Sequence, residues 1–231
     1  MNEIITVGAR VKYAFESTAG VRPTSGFVTL GNVTEAPEIA LSLETIDVSN
    51  IQDKITRYVP GRQDPGGEKQ FTINHTDAGI AEWNTLVAQA ETKKDDNLRL
   101  WWEYCYPNAS NSFFWCGTPK QIGNSGIQGN SASTITGSVV FEELEGWAPH
   151  STQISTTDTT KSVTKSSTAT TTVSNAVGTV KVTSSNPAVA TGSVATTTLT
   201  ISGVEVGTAI LTLEDSNGDS CKVVVTVTAG V

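Results

Sequence analysis

Thr134-Ile135-Thr136-Gly137-Ser138-Val139-Val140-Phe141 alternates from end to end. Ile135, Gly137, Val139 and Phe141 fall on one side and Thr134, Thr136, Ser138 and Val140 on the other, the two-residue period of a strand with one buried face. The other face should meet water or a neighbour. Outward from this stretch, β-rich or alternating runs bounded by Gly, Pro and Asn recur at residues 26–30, 39–48, 69–74, 98–106 and 113–116, and each reads as a strand. One stretch has helical spacing instead. Ile80, Trp83, Leu86, Val87 and Ala90 share a stripe, Thr76 or Asp77 can cap its start, and Lys93 and Lys94 are favourable charges at its end. Trp83 is expected to anchor this helix on the sheet.

Residues 98–122 read as a hairpin, two aromatic strands flanking the turn formers Pro107-Asn108-Ala109-Ser110-Asn111. Such a turn would let Cys105 and Cys116 face one another. Three cysteines (Cys105, Cys116, Cys221) are nevertheless an odd and sparse set, unlike a secreted disulfide framework, so free packing thiols and cytosolic folding are expected. Met1 to Phe15 shows no basic stretch followed by a long apolar run and a cleavage site, so no signal peptide is expected. No apolar run is long enough to cross a bilayer, and membrane insertion is not expected.

All fifteen aromatic residues lie between Tyr13 and Trp147, which marks a sharp compositional boundary. Beyond it the chain is dominated by Ser and Thr. Residues 151–160 hold almost no apolar side chains, as in a solvated linker. The expected division is an assembly domain over residues 1–150, a linker over 151–157 and an independently folding β domain over 158–231. In the last part, residues 179–183, 198–202, 209–213 and 221–228 read as short strands of a β-sandwich. Cys221, Val223, Val225 and Val227 share one face of the last strand, which makes Cys221 a core filler.

The formal charge is −8, and the first 150 residues carry nearly all of it, with 11 basic and 18 acidic groups. Tight DNA binding is unexpected on such a balance, because it requires cations that neutralise phosphates. Enzymatic readings fail for want of parts. His75 and His150 are the only histidines, with no cysteine or carboxylate set at metal-ligand spacing beside them, and neither a nucleophile elbow nor a Walker sequence is present. The glycine-rich run Gly123-Asn124-Ser125-Gly126-Ile127-Gln128-Gly129 lacks a following Lys-Ser or Lys-Thr and reads as a flexible loop. Asp215-Ser216-Asn217-Gly218-Asp219 lacks the ligand spacing of a calcium loop and reads as a hairpin turn. Glu142, Glu143 and Glu145, with Asp95 and Asp96, lie near expected element ends and read as solvated acidic surface. No catalytic, metal or cofactor site is expected, and the chain does not read as an enzyme.

Residues 49–68 form an unusually long polar stretch containing the breakers Pro65-Gly66-Gly67. Long loops of this kind are functional or disordered. Asp53, Lys54, Arg57, Tyr58, Arg62, Gln63 and Asp64 within it are the candidate subunit-contact residues.

The run Tyr13-Ala14-Phe15-Glu16-Ser17-Thr18-Ala19-Gly20-Val21-Arg22-Pro23-Thr24, followed by Leu30-Gly31-Asn32-Val33-Thr34, resembles the start of major tail tube proteins of long non-contractile-tailed phages. Ile46-Asp47-Val48-Ser49, Ile51-Gln52-Asp53 and Tyr58-Val59-Pro60-Gly61 continue the likeness. Ser184-Ser185-Asn186-Pro187-Ala188-Val189-Ala190 and Val206-Gly207-Thr208-Ala209 resemble the bacterial immunoglobulin-like class 2 domain, from which residues 191–197 depart. The resemblance implies a mainly β fold, a tail-tube-type β-sandwich or barrel with one flanking helix, followed by an immunoglobulin-like β-sandwich displayed outward. It implies hexameric rings that stack into a virion tail tube, assembled in the host cytoplasm, through which DNA passes without specific binding. Its implied partners are further copies of itself and the tape measure, tail tip and tail terminator proteins, with weak host-surface contact through the C-terminal domain. A bacterial or phage surface adhesion or carbohydrate-binding module is the alternative.

Overall fold

The computed structural model describes residues 8–64, 66–106, 109–124, 126 and 132–230. The fold is mainly β with one helix. The chain divides into two compact units, residues 1–23 with 30–149 and residues 24–29 with 150–231.

In chain order the elements up to residue 149 are β1 (Arg10–Phe15), β2 (Val28–Thr29), β3 (Val33–Glu35), β4 (Ser42–Asp47), β5 (Tyr58–Asp64), β6 (Glu68–Asn74), α1 (Asp77–Lys94), β7 (Leu100–Cys105), β8 (Asn111–Pro119), β9 (Gly123–Asn124) and β10 (Thr134–Pro149). The main sheet of the first unit runs β1-β7-β8-β10-β6-β3, with β9 also on β10. β10 is its longest strand. The alternation at 134–141 is the buried-face pattern expected: Ile135, Gly137 and Val139 are buried against β6, and Val140 is exposed.

The helix begins where Thr76 accepts a hydrogen bond from Gly79 N at 3.0 Å, and Lys93 and Lys94 close its last turn. Trp83 is fully buried, as expected of an anchor, and its Nε1 donates to Lys120 O at 2.8 Å. Gly137 makes room for it. A Cβ at Gly137 would stand 2.5 Å from the indole, so a glycine in mid-strand marks a close approach. Around this contact Phe71, Trp102 and Trp115 stack at centroid separations of 4.9 to 6.2 Å. Packed aromatic surface of this extent is the main stabilising term of the unit.

Several expectations change here. Residues 49–68 are not one loop, because 58–64 forms β5 and residue 68 opens β6. Pro60 and Gly61 conceal that strand from a propensity reading. Cys105 and Cys116 do not face one another, since Trp101 lies opposite Cys116 and Cys105 lies opposite Arg10 on β1. Both are buried, and neither is in a disulfide. Pro107 and Asn108 of the expected turn lie outside the described residues. So do Ser125, Ile127, Gln128 and Gly129 of the glycine-rich run.

The second unit adds β11 (Ser155–Thr156), β12 (Thr160–Thr164), β13 (Thr168–Ser174), β14 (Lys181–Ser184), β15 (Ala190–Ala195), β16 (Thr198–Gly203), β17 (Gly207–Glu214) and β18 (Ser220–Thr228). They form two four-stranded sheets, β11-β13-β16-β15 and β12-β18-β17-β14. Leu199 and Ile201 from one sheet and Leu211, Leu213, Val223, Val225 and Val227 from the other share one core. Where residues 191–197 depart from the class 2 pattern, the chain forms β15, paired with β16. The 215–219 turn is as expected: Asp215 Oδ1 accepts from Asn217 N and Asp219 N at 2.9 and 3.0 Å.

Residues 151–157 are not a solvated tether. Ile154 belongs to the core of this unit, and Ser155 and Thr156 pair with β13. Nor is the unit made only from the C-terminal stretch, because residues 24–29 belong to it. Asn217 Nδ2 donates to Phe27 O at 2.6 Å, Thr29 N donates to Asn217 Oδ1 at 3.0 Å, and Thr152 N donates to Thr24 O at 2.7 Å. Three crossings of the chain, at 23/24, 29/30 and 149/150, therefore separate the units.

Candidate assembly surface

The β4–β5 hairpin forms a two-stranded sheet of its own. Ile46 lies opposite Val59, Asp47 opposite Tyr58 and Leu43 opposite Gln63, with an irregularity between Leu43 and Thr45. There β5 presses close on β4. A Cβ at Gly61 would stand 3.1 Å from Glu44 O, which accounts for glycine in this strand.

The connection between the strands is held by its own polar groups. Asp47 Oδ1 accepts from Ser49 N at 2.8 Å, Asn50 Oδ1 from Gln52 N at 2.9 Å, Asp53 Oδ2 from Asn50 N at 3.0 Å, and Ser49 Oγ from Arg57 N at 2.8 Å. Val48 N and Arg57 O close its base at 2.9 Å. Asx-type bonds of this kind give a connection a fixed shape without core packing. The Ser49 side-chain and backbone hydrogen bonds hold the Asp47 carboxyl below its ordinary range.

The large apolar side chains of this hairpin are left exposed. Every residue of β4 is exposed, and Leu43, Ile46, Val48, Ile51, Ile55, Tyr58 and Val59 are all exposed large hydrophobics, with Ile55 at 79% and Ile51 fully so. A single exposed aliphatic side chain is ordinary, but seven exposed large hydrophobics on one hairpin make it a candidate interaction surface. An isolated two-stranded hairpin is also at best marginally stable in water.

The sequence-based candidates fall on this element, with assorted roles. Asp53 shapes the connection, and Arg57 stands 3.9 Å from its carboxylate. Lys54, Arg62 and Gln63 are exposed, and Tyr58 begins β5 with its ring largely in solvent. Asp64 lies opposite Ser42 through its backbone, and its side chain is outside the described residues. The aliphatic residues were missed. The available signal was Ile51 and Ile55 standing alone in a polar stretch that could not bury them.

The acidic residues of β10 are exposed, as expected of acidic surface, but they do not lie at an element end. Glu142, Glu143 and Glu145 lie within the strand where its pairing with β8 is irregular, and they are engaged: Glu143 with Arg99 at 2.5 Å, Glu145 with Arg22 at 2.5 Å, Glu142 with Thr118. Arg99 also holds Glu16 at 3.0 Å. Glu16 is buried and accepts from Trp101 Nε1, Gly20 N and Arg99. Burial alone would raise its pKa, but those hydrogen bonds outweigh it and the net shift is downward. His75 sits in solvent with Nδ1 2.8 Å from Ser133 Oγ, a surface contact.

No family model matches the chain, and no curated protein matches it. Among solved structures, it is similar to a chain from the six-fold symmetrised cryo-EM structure of the anti-feeding prophage baseplate. The identity is 7% and the TM-score 0.32, over 61% of this chain and 92% of that one.

Proposed function

We propose that this protein is a structural subunit of a phage tail, polymerising through its first unit into stacked hexameric rings of a tail tube, with the β4–β5 hairpin as the arm that engages the next copy. The observation that carries the reading is the run of exposed aliphatic side chains on a hairpin that keeps a fixed shape by its own hydrogen bonds. A hydrophobic surface of this kind is a liability in a monomer and a contact in an assembly. The tail tube likeness of residues 13–24, 30–34, 46–49, 51–53 and 58–61 supports the specific assignment.

A formal charge of −8 suits a conduit through which DNA passes without sticking, since an acidic wall repels phosphates. The second unit has a core of its own and serves as an outward decoration, whose many copies would add weak host-surface contacts by avidity. The reading assigns the chain no catalysis and no cofactor, and places it in the virion tail. Negative-stain electron microscopy of the purified full chain tests it. Rings or tubes are the expected result. Dispersed monomers that bind bacterial surfaces would favour an adhesion module instead.

A further inference from the structure

The second unit holds a segment from far earlier in the chain, and one residue does most of the holding. The 215–219 turn is folded around Asp215, whose carboxylate accepts from Asn217 N and Asp219 N at 2.9 and 3.0 Å and from Val177 N at 3.0 Å. Gly218 completes the turn with φ 74° and donates to Asp215 O at 2.9 Å. That frame fixes Asn217, which is buried. Its side-chain amide donates from Nδ2 to Phe27 O at 2.6 Å and accepts at Oδ1 from Thr29 N at 3.0 Å, so it bridges the backbone on either side of Val28 as a residue of a neighbouring strand would. Thr29 Oγ1 adds a bond to Asn217 O at 2.9 Å, and Thr24 O accepts from both Thr152 N and Thr152 Oγ1, at 2.7 and 3.0 Å. Most of these bonds reach backbone atoms of the held segment.

Directly after Thr29 the chain enters the core of the first unit. Leu30 is buried in that core, its N–H donates to Val11 O at 2.8 Å, and Gly31 N donates to the carboxylate of Glu82 on α1 at 3.0 and 3.1 Å. We infer that residues 24–29 are a clasp, bound by the second unit as an extended peptide, and that the hold of Asn217 on this clasp makes the fixing of Leu30 and Gly31 in the first unit depend on the second unit being folded. The inference does not rest on the assembly reading. It concerns how one subunit is completed.

The connection from the end of β1 at Phe15 to the start of β3 at Val33 is long, and it carries Gly20 and Gly26, both at positive φ. Such a connection resists being fixed, because every residue that is ordered loses chain entropy. The bonds to Asn217 and Thr152 offset that loss only while the second unit presents them. When it unfolds, Phe27 O and Thr29 N lose the Asn217 amide, and the restraint one peptide bond from Leu30 goes with it. A subunit with a misfolded second unit therefore carries a loosened first unit, the two being coupled along the backbone.

Hydrogen exchange resolved to single amides, measured on the full chain, tests this with two variants. Val225→Asp puts a charge into the core of the second unit and unfolds it. The amides of Leu30 and Gly31 are then expected to exchange roughly tenfold faster than in wild type, while those of β7 and β8 exchange as before and report a first unit that is still folded. Asn217→Ala removes the side-chain amide alone. It should accelerate Thr29, Leu30 and Gly31 by a similar factor while the amides of β17 and β18 stay protected; if β17 and β18 open as well, the variant is read as Val225→Asp is. Wild-type exchange at Leu30 and Gly31 in either variant would overturn the inference and leave residues 24–29 a passenger on the second unit. Loss of protection throughout β7 and β8 would overturn it too, since the dependence would then not be carried by the clasp.

Discussion

Two hairpins of this molecule use similar residues to opposite ends. In β17–β18, residues 207–228, buried and outward positions alternate, and Leu211, Leu213, Val223, Val225 and Val227 vanish into a sandwich core while Ile210 and Val224 face outward. In β4–β5, residues 42–64, comparable side chains remain in water and the backbone is held by its own short polar contacts. The first hairpin derives its stability from its own chain. The second presents apolar surface that no other described residue buries, and on the proposed assembly reading the difference separates a stabilising element from a docking one.

Substitutions should expose this contrast, beginning with the largest effect. Leu211→Ala opens a cavity in a fully packed core and should destabilise the second unit by about 2–5 kcal/mol, read from chemical unfolding. A loss under about 1 kcal/mol would mean that the sandwich is loosely packed and the contrast with β4–β5 weak. Gly137→Ala forces a methyl group against the Trp83 ring and should cost the first unit about 1–3 kcal/mol through overpacking, seen as a lower thermal midpoint.

Glu16→Gln should cost about 1–3 kcal/mol at neutral pH, since it breaks a buried charged cluster. Its pH dependence is the sharper reading. The folded pKa of Glu16 is depressed, so its contribution is complete above the ordinary glutamate range, about pH 4, and is lost as pH falls through the lower folded value. The variant should therefore lose stability less steeply than wild type across that acidic window, and parallel profiles would show that Glu16 does not carry the dependence. At the small end, Ile46→Ala on the exposed hairpin should change unfolding free energy by no more than about 0.5 kcal/mol. A larger loss would mean that Ile46 is packed in the monomer after all.

Local patterns were legible and distant pairings were not. The 134–141 alternation, the Thr76 cap and the Trp83 anchor each depend on neighbours a few residues apart, and each appears in the structure as expected. β5 was concealed by Pro60 and Gly61, two residues that discount a strand unless a particular close approach requires one of them. β12, β13 and β15 are built largely from Thr, Ser and Ala, whose small side chains give little hydrophobic period to detect. The attachment of residues 24–29 to the second unit depends on Asn217, nearly two hundred residues away, and nothing local announces it. At the candidate site, charged residues drew notice while the aliphatic ones did not, because exposure is a property of the fold and cannot be read from residue type.

The central claim is that the hairpin's bare aliphatic residues exist for assembly and contribute nothing to the fold of the subunit. Sedimentation velocity of the full chain, compared with Ile51→Ser/Ile55→Ser over the same concentration series, tests it most directly. The account predicts large, concentration-dependent species for the wild type, a single monomer boundary for the variant at every concentration, and equal thermal midpoints for the two as monomers. A variant that assembles like the wild type, or a wild type that stays monomeric throughout the series, would contradict it.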